Sequence, residues 1–242
     1  MNIASSFDKM ERAIQQLISV VQIKYDPSQP RDEQGRFGSG GGSGSGRKVE
    51  AFDPKSLPSV ARKSGTAVKE RCEADPELAG AVSAYTMLSH GPLNSKLRAG
   101  RELDAGEQKM ADKLTELTEM NLAEPLSVYR GVGGRTGDEF LSKARTAMDE
   151  GGTLTDNGFS STSLNAAKAT RFTTSKVLLQ IETNKGAFID PVSGSKGEQE
   201  FLMSCGTKYS VQGIDDNVSI VGTTIGGKRT VLRRTVIRLK AS

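Results

Sequence analysis

Residues 177–190 read Val-Leu-Leu-Gln-Ile-Glu-Thr-Asn-Lys-Gly-Ala-Phe-Ile-Asp, and this stretch decides the fold class. It contains two runs rich in β-branched and aromatic residues, separated by a turn with Asn and Gly, a pattern typical of consecutive strands. The strands predicted from these runs and from the similar segments that follow are 177–182, 187–190, 200–203, 208–212, 218–221 and 230–239. The second half of the chain is therefore predicted to be rich in short strands.

The preceding part of the chain, residues 48–150, is predicted to be mainly helical. Asp104 and Glu107 have the spacing of a capping box, in which each side chain satisfies a free backbone amide at a helix start. Thr136 and Glu139 have the same spacing and predict the start of a second helix. A helical half followed by a strand-rich half predicts an α+β fold.

The N-terminal part of the chain has a different composition. Apolar residues recur at steps of four and three along residues 1–24, which predicts an amphipathic helix that self-associates, docks to a carrier protein or lies on the main domain. Residues 25–47 end in a Gly/Ser run and are predicted to be a flexible linker. The remaining residues, 48–242, are predicted to form the folded domain.

Composition argues against several classes of function. The chain has 242 residues, a net charge of +4, one histidine and two cysteines. No apolar run approaches the roughly 18 residues of a membrane span, so no membrane partner is expected. A single histidine leaves no room for an HExxH zinc motif, and no metal is expected. The basic residues near the C-terminus favour a solvated strand face over nucleic-acid binding, which stays the weaker alternative.

Three short motifs carry residues suited to chemistry. Arg130 lies in an apolar segment, where burial requires an anionic partner, either a structural carboxylate or a bound phosphate. Ser161 begins a Ser-Thr-Ser run. Glu198 and Glu200 flank one Gln, and on a strand such residues share a face, so that one carboxylate raises the pKa of the other. Taken singly, each motif has an ordinary explanation: an ion pair, a turn or a solvated strand edge.

The three motifs in this order resemble the Arg-Ser-Glu class of mono-ADP-ribosyltransferases, which includes binary actin-modifying toxins and related effectors. The resemblance covers about residues 80–240. Tyr85 and the Thr after it resemble the family's upstream helix, and Asn94 to Arg98 resembles its Asn-x-x-Leu-Arg segment. Phe172 has the spacing of the family's nicotinamide-stacking phenylalanine.

The resemblance implies that NAD is the co-substrate and that it binds in a cleft between two small, mainly antiparallel sheets. Arg130 would hold a phosphate, Asn94 and Arg98 would support the same end of the dinucleotide, and Phe172 would stack on the cationic nicotinamide ring. The implied NAD-binding set is Asn94, Arg98, Arg130, Gly131, Ser161, Phe172 and Glu200.

The resemblance also implies catalytic roles. Ser161 would orient Glu200, and Glu200 would stabilise an oxocarbenium-like ribose. Glu198 would align the acceptor guanidinium and accept its proton; family members with Gln at this place modify other side chains. The acceptor implied is therefore an exposed arginine of a host protein. Two positions depart from the family pattern: Ser175 replaces an arginine, and Ser195 replaces an aromatic residue that contacts the target.

Two other functions are compatible with the same motifs. One is an NAD glycohydrolase, in which water is the acceptor, and the other is a catalytically silent virion or interaction module. Residues 29–37 resemble linkers of tailed-phage head proteins, some of which carry a fused enzyme domain. The predicted location is therefore a phage virion followed by the host cytoplasm, or the host cytoplasm after secretion or injection as an effector.

Overall fold

The computed structural model describes most of the predicted folded domain. The described residues are 48–49, 57–170, 176–223 and 229–242, and all lie in one unit, Gly46–Ser242. The predicted helix over 1–24, the predicted linker over 25–47 and the candidate stacking residue Phe172 lie outside the described residues.

The first part of this unit is helical, as the sequence predicts. The longer helices each bury one face and expose the other, as expected for helices that cover a sheet. A five-residue π-helical turn, Tyr85–Ser89, joins the second helix to the third and is called the π segment. The helices are α1 (Ser59–Ala74), α2 (Pro76–Ala84), α3 (His90–Arg98), α4 (Ala105–Thr118), α5 (Gly134–Glu150) and the short α6 (Ala166–Ala169).

One predicted capping box is confirmed and the other is wrong. At the start of α4, the Asp104 side chain accepts from the Glu107 amide and the Glu107 side chain accepts from the Asp104 amide, each at 2.9 Å. Helix α5 begins before Thr136 and has no side-chain cap. Gly134 adopts a φ of +50°, which glycine tolerates, and this lets the chain turn into the helix directly after a strand.

The strands form one mixed sheet within the described residues, and the α+β class is confirmed. Their order is β1-β8-β9-β5-β2-β4-β7-β6, and β3 pairs separately with β8. The bounds are β1 (Lys48–Val49), β2 (Asn121–Val132), β3 (Thr153–Asp156), β4 (Ser160–Ser163), β5 (Val177–Lys185), β6 (Ala187–Phe188), β7 (Glu200–Met203), β8 (Thr207–Thr223) and β9 (Arg229–Ala241).

The two expected small sheets are joined at a narrow point. Strands β2 and β4 share one pair, Tyr129 with Ser163, whereas β2 and β5 pair over most of their length. The sheet therefore consists of a larger strand group that ends at β2 and a smaller group of β4, β7 and β6. The strands predicted at 208–212 and 218–221 are one strand, because a bulge near Asn217, at a φ of +56°, takes the place of a loop.

An apolar cluster beside the cavity packs the helical part against the smaller strand group. Leu114 of α4 and Leu202 of β7 are buried in it together with Tyr85. The rings of Tyr85 and Phe159 meet edge to face at 5.9 Å, a favourable aromatic geometry. This contact fixes the π segment beside β4. None of the described helices has the length and apolarity that a membrane span requires.

Candidate active site

A cavity of about 540 Å³ opens where the two strand groups meet. Its wall comes from the π segment, from β2 and β4, from α3 and α6, and from the loop that leads into β7. The lining residues are Tyr85, Thr86, Met87, His90, Tyr129, Arg130, Gly131, Ser161, Thr162, Ser163, Ala169, Ser195, Glu198 and Glu200.

Five of the predicted site residues meet in this cavity. Arg130 and Gly131 come from the end of β2, Ser161 from β4, and Glu198 and Glu200 from the start of β7 and the turn before it. Strand pairing explains part of this convergence. Because the residue two after Ser161 is paired with Glu200, Ser161 and Glu200 are diagonal neighbours on one face of the sheet.

Glu200 is buried, with 7% of its surface exposed. Burial raises the pKa of its carboxyl group to about 7, a hydrogen bond from Ser161 opposes this rise, and the charge of Glu198 adds to it. The Ser193 hydroxyl also donates to Glu200 Oε2, at 3.4 Å. A carboxyl group with such a pKa is half ionised near neutral pH, a property that is common at functional sites.

Glu198 does not share a strand with Glu200, and the prediction of two side chains on one strand face is wrong. Strand β7 begins at Glu200, and Gln199 has a φ of +54°, which breaks the extended alternation. The reason is Asp190, whose Oδ1 accepts from the amides of Gly197 at 3.1 Å and Gln199 at 2.7 Å. These bonds bend the chain into a turn, from which Glu198 still reaches the cavity.

The turn that carries Glu198 is also held from the other side. The Ser163 hydroxyl donates to the Glu198 carbonyl oxygen at 2.7 Å, and the Lys168 ammonium donates to the Gly197 carbonyl oxygen. Burial and the charge of Asp190 raise the pKa of the Glu198 carboxyl, against the opposing charges of Lys168 and His90. The cavity therefore has a fixed, electronegative side.

Asn94 lies behind the cavity wall and supports Ser161 through Tyr85. Its Oδ1 accepts from the Phe159 amide at 2.7 Å, which fixes the orientation of the side-chain amide, and its Nδ2 donates to the Tyr85 hydroxyl at 3.0 Å. That hydroxyl lies 3.3 Å from Ser161 Oγ. Because Tyr85 accepts from Asn94, its own hydrogen can go to Ser161, which leaves the Ser161 hydrogen for Glu200.

Asp156, which the sequence does not reveal, positions Arg98 and Arg130 without lining the cavity itself. Arg98 pairs with it through two nitrogens, at 2.7 and 3.0 Å, and Arg130 Nη1 lies 3.4 Å from it. Burial would raise the pKa of the Asp156 carboxyl, but the hydrogen bond and charge of Arg98 and the charge of Arg130 hold it below its usual value. Arg98 thus faces Asp156 and does not line the cavity.

Arg130 pairs with the carboxylate of Asp156 and also lines the cavity. Its guanidinium can therefore form the structural ion pair and still bind a phosphate, the two partners considered from the sequence. Within the described residues, its contacts to Asp156 and to Ser160 Oγ, at 2.7 Å, both use Nη1. A guanidinium carries five N–H donors, so others can serve an anion in the cavity. No cluster of three His, Cys, Asp or Glu side chains that could hold a metal occurs in the part of the chain that the structure describes.

Comparison with known proteins gives three kinds of match. The model of the ADP-ribosyltransferase exoenzyme family matches residues 69–238. Secreted exoenzyme S of Pseudomonas aeruginosa is 30% identical over 133 residues, which are 54% of this chain and 28% of that protein. The matched region thus spans little more than a quarter of that relative's length.

Several solved structures share the fold. Exoenzyme S from Pseudomonas aeruginosa, in complex with human 14-3-3 protein beta and bound to carba-NAD, has a TM-score of 0.55 at 22% identity, covering 78% of this chain and 84% of that one. C3stau2 from S. aureus, solved with NAD, has a TM-score of 0.54 at 19% identity, covering 80% and 99%. The C2-I component of the Clostridium botulinum C2 toxin has a TM-score of 0.60 at 18% identity, covering 81% and 49%.

Proposed function

The chain belongs to the ADP-ribosyltransferase exoenzyme family, and from that premise we propose that it transfers ADP-ribose from NAD to an arginine side chain of a protein and releases nicotinamide. The observation that carries the proposal is the joint placement of Arg130, Ser161, Glu198 and Glu200 around one cavity. A cation for phosphate, an oriented buried carboxylate and a second carboxylate for the acceptor are the groups that this reaction requires.

NAD is the proposed co-substrate because the cavity offers a binding group for its charged part. Arg130 supplies N–H donors for a phosphate, and Gly131 beside it lets a ligand approach the backbone closely. Two of the solved structures with this fold contain NAD or carba-NAD. Asn94 and Arg98 are proposed to act from behind the wall, since their polar atoms bind Tyr85, Phe159 and Asp156. Phe172 stays the proposed stacking residue.

Glu200 is proposed to stabilise the ribose during cleavage. As the bond to nicotinamide breaks, positive charge develops on the ribose, and a buried carboxylate stabilises that charge strongly because little water screens it. Ser161 holds the carboxylate by a hydrogen bond, and Tyr85 and Asn94 hold Ser161 in turn. Glu200 thus faces the ribose in a fixed orientation, which is needed for a charge interaction that strengthens in the transition state.

Glu198 is proposed to bind the acceptor arginine. A guanidinium is fully protonated in water, so it needs a carboxylate to orient it and to accept the proton it loses on transfer. Glu198 lines the cavity beside Glu200, and Asp190 adds a second negative charge on the same side. A positively charged acceptor is favoured on this side of the cavity.

The proposed acceptor belongs to a host protein that the chain meets in the host cytoplasm, after secretion or injection as an effector. The relative from Pseudomonas aeruginosa is named as a secreted exoenzyme. Delivery by a phage virion is the alternative that residues 29–37 suggest.

The proposed function is tested with agmatine, a small molecule that carries the guanidinium of arginine. The full chain is incubated with NAD and agmatine, and ADP-ribosyl-agmatine, free ADP-ribose and nicotinamide are measured. Putrescine, which replaces the guanidinium with an amine, is the matched control. We expect a product with agmatine and none with putrescine. Free ADP-ribose as the one product would reject transfer to a guanidinium and favour an NAD glycohydrolase, and no nicotinamide release would favour a silent binding module.

NAD cleavage is expected to increase as the pH rises through about 7. Burial raises the pKa of Glu200 to about 7, and the carboxylate is the form that stabilises the ribose, so the active fraction falls about tenfold per pH unit below that value. Plots of kcat/KM between pH 5.5 and 8.5 measure the midpoint. Ser193→Ala removes a hydrogen bond that lowers this pKa and should shift the midpoint upward. A flat profile would contradict a role in cleavage for a carboxylate with a pKa of about 7.

We propose that residues 48–242 form the catalytic domain, and a chain shortened to begin at Arg47 is expected to cleave NAD at the full-length rate. It keeps β1, which pairs with β8 at the edge of the sheet. A chain that begins at Leu57 also lacks β1 and should unfold at a lower temperature, because one edge of β8 loses its partner. Thermal unfolding and nicotinamide release are measured for both. A folded but inactive chain from Arg47 would place the domain boundary earlier.

A further inference from the structure

The π segment places two large apolar side chains in solvent beside the cavity. Met87 is 59% exposed and Leu88 is 80% exposed, more than Met148 at 47% and Val231 at 56%, the other exposed large apolar residues described. A π-helical turn is rare and is often found at functional sites. Single exposed apolar residues are ordinary, but here two are adjacent on such a turn.

This apolar surface continues along the next helical turn. Pro92 is exposed and lies four residues after Leu88, close to one helical turn further along the chain. Met87, Leu88 and Pro92 together are called the apolar rim. Met87 lines the cavity, whereas Leu88 and Pro92 do not. The apolar rim thus extends from the cavity wall onto the outer surface.

The apolar rim is attached to the loop that leads to Glu198. The Gly194 amide donates to Thr86 Oγ1 at 3.1 Å, and a Cβ on Gly194 would lie 2.6 Å from Met87 Cγ. Ser195, which follows directly, lines the cavity together with Glu198. The apolar rim is therefore continuous with the side of the cavity where the acceptor guanidinium is proposed to enter.

We propose that the apolar rim binds an apolar side chain of the acceptor protein, a few residues from the arginine that is modified. The proposal rests on the proposed arginine transfer. Leu88 lies outside the cavity, so a molecule confined to the cavity cannot cover it, whereas a polypeptide that inserts an arginine towards Glu198 extends over the rim. The acceptor segment therefore combines one cation, complementary to Glu198 and Asp190, with one apolar neighbour.

The test uses synthetic peptides and the full chain. Each peptide has a single arginine in a Gly/Ser background, and one leucine is moved through the four positions on either side of it. ADP-ribosylation is measured by mass spectrometry as kcat/KM. Burial of one leucine side chain corresponds to roughly a tenfold gain in binding. We expect one or two leucine positions to give a gain of about that size over the peptide without leucine.

Leu88→Ser should abolish the preference for leucine and leave agmatine turnover unchanged. Met148→Ser is the matched control, because Met148 is an exposed apolar residue on α5 that does not line the cavity. It should keep the preference.

Four results would overturn the proposal. Equal turnover of all peptides beside normal agmatine turnover would reject the apolar rim and leave the proposed function standing. A leucine preference retained by Leu88→Ser would place apolar recognition elsewhere. A wild-type dimer in sedimentation that Leu88→Ser dissociates would assign the rim to a second copy of the chain. Loss of turnover with agmatine and with every peptide would reject arginine transfer itself, together with the rim.

Discussion

Glu200→Gln is expected to reduce both ADP-ribose transfer and NAD cleavage by about 10²–10³-fold, the usual cost of removing one preorganised group that stabilises a transition state. Glutamine keeps the size of the side chain but cannot offset the positive charge on the ribose. Nicotinamide release measures both reactions, because transfer and hydrolysis share the step that Glu200 assists.

The loss should not come from unfolding. Glu200 is buried and its pKa is raised, so the folded state already disfavours its charge, and a neutral amide of the same shape fits the site. The thermal unfolding midpoint at pH 8 should therefore equal or exceed that of the wild type. Glu182→Gln, the same change at an exposed position on β5, is the control and should leave the rate unchanged. Near-normal nicotinamide release by Glu200→Gln would remove Glu200 from the mechanism.

Glu198→Gln is expected to lower transfer to arginine by at least about tenfold while NAD cleavage with water as acceptor changes much less. The substitution removes the charge partner and proton acceptor of the guanidinium, and a charge-assisted hydrogen bond contributes roughly 1.5–3 kcal/mol. The ratio of ADP-ribosyl-agmatine to free ADP-ribose is the quantity to measure.

The same variant should also change the pH dependence of cleavage. The charge of Glu198 raises the pKa of Glu200, so its removal should shift the midpoint of NAD cleavage to lower pH. Glu139→Gln, at an exposed position on α5, is a control that should change neither the product ratio nor the midpoint. An equal loss of both products would mean that Glu198 serves the cleavage step, and the case for arginine would lose its main support.

The sequence predicts those parts of the fold and site that depend on local pattern. The strand at 200–203 is found as Glu200–Met203, and the capping box at Asp104 is present. The α+β class is also as expected. Each of these depends on residues close together in the chain, where periodicity and capping are informative.

The parts that the sequence does not reveal depend on side chains that meet over long distances. Arg98 and Asp156 are 58 residues apart in the chain, so no local pattern links them. The turn at Gln199 depends on Asp190, whose side chain accepts hydrogen bonds from the amides of Gly197 and Gln199 at the other end of the loop. The prediction that Glu198 and Glu200 share a strand face assumes a regular strand. It is wrong because the hydrogen bonds to Asp190 hold Gln199 in a turn conformation.

The resemblance to known transferases indicates which residues belong to the site, but it is less informative about the groups that each of them contacts. It points to Asn94 as part of the nucleotide site, yet Asn94 binds Tyr85 and the Phe159 amide. The effect of Asn94 on NAD is therefore proposed to pass through Tyr85 and Ser161.

The most direct test of arginine transfer is to identify the modified side chain. The full chain is incubated with biotinylated NAD and a eukaryotic or bacterial host lysate, the labelled protein is purified, and the ADP-ribosylated residue is located by tandem mass spectrometry. Glu200→Gln serves as the control that should give no label. We expect ADP-ribose on an arginine. ADP-ribose on asparagine, glutamine or cysteine, with no labelled arginine, would contradict it.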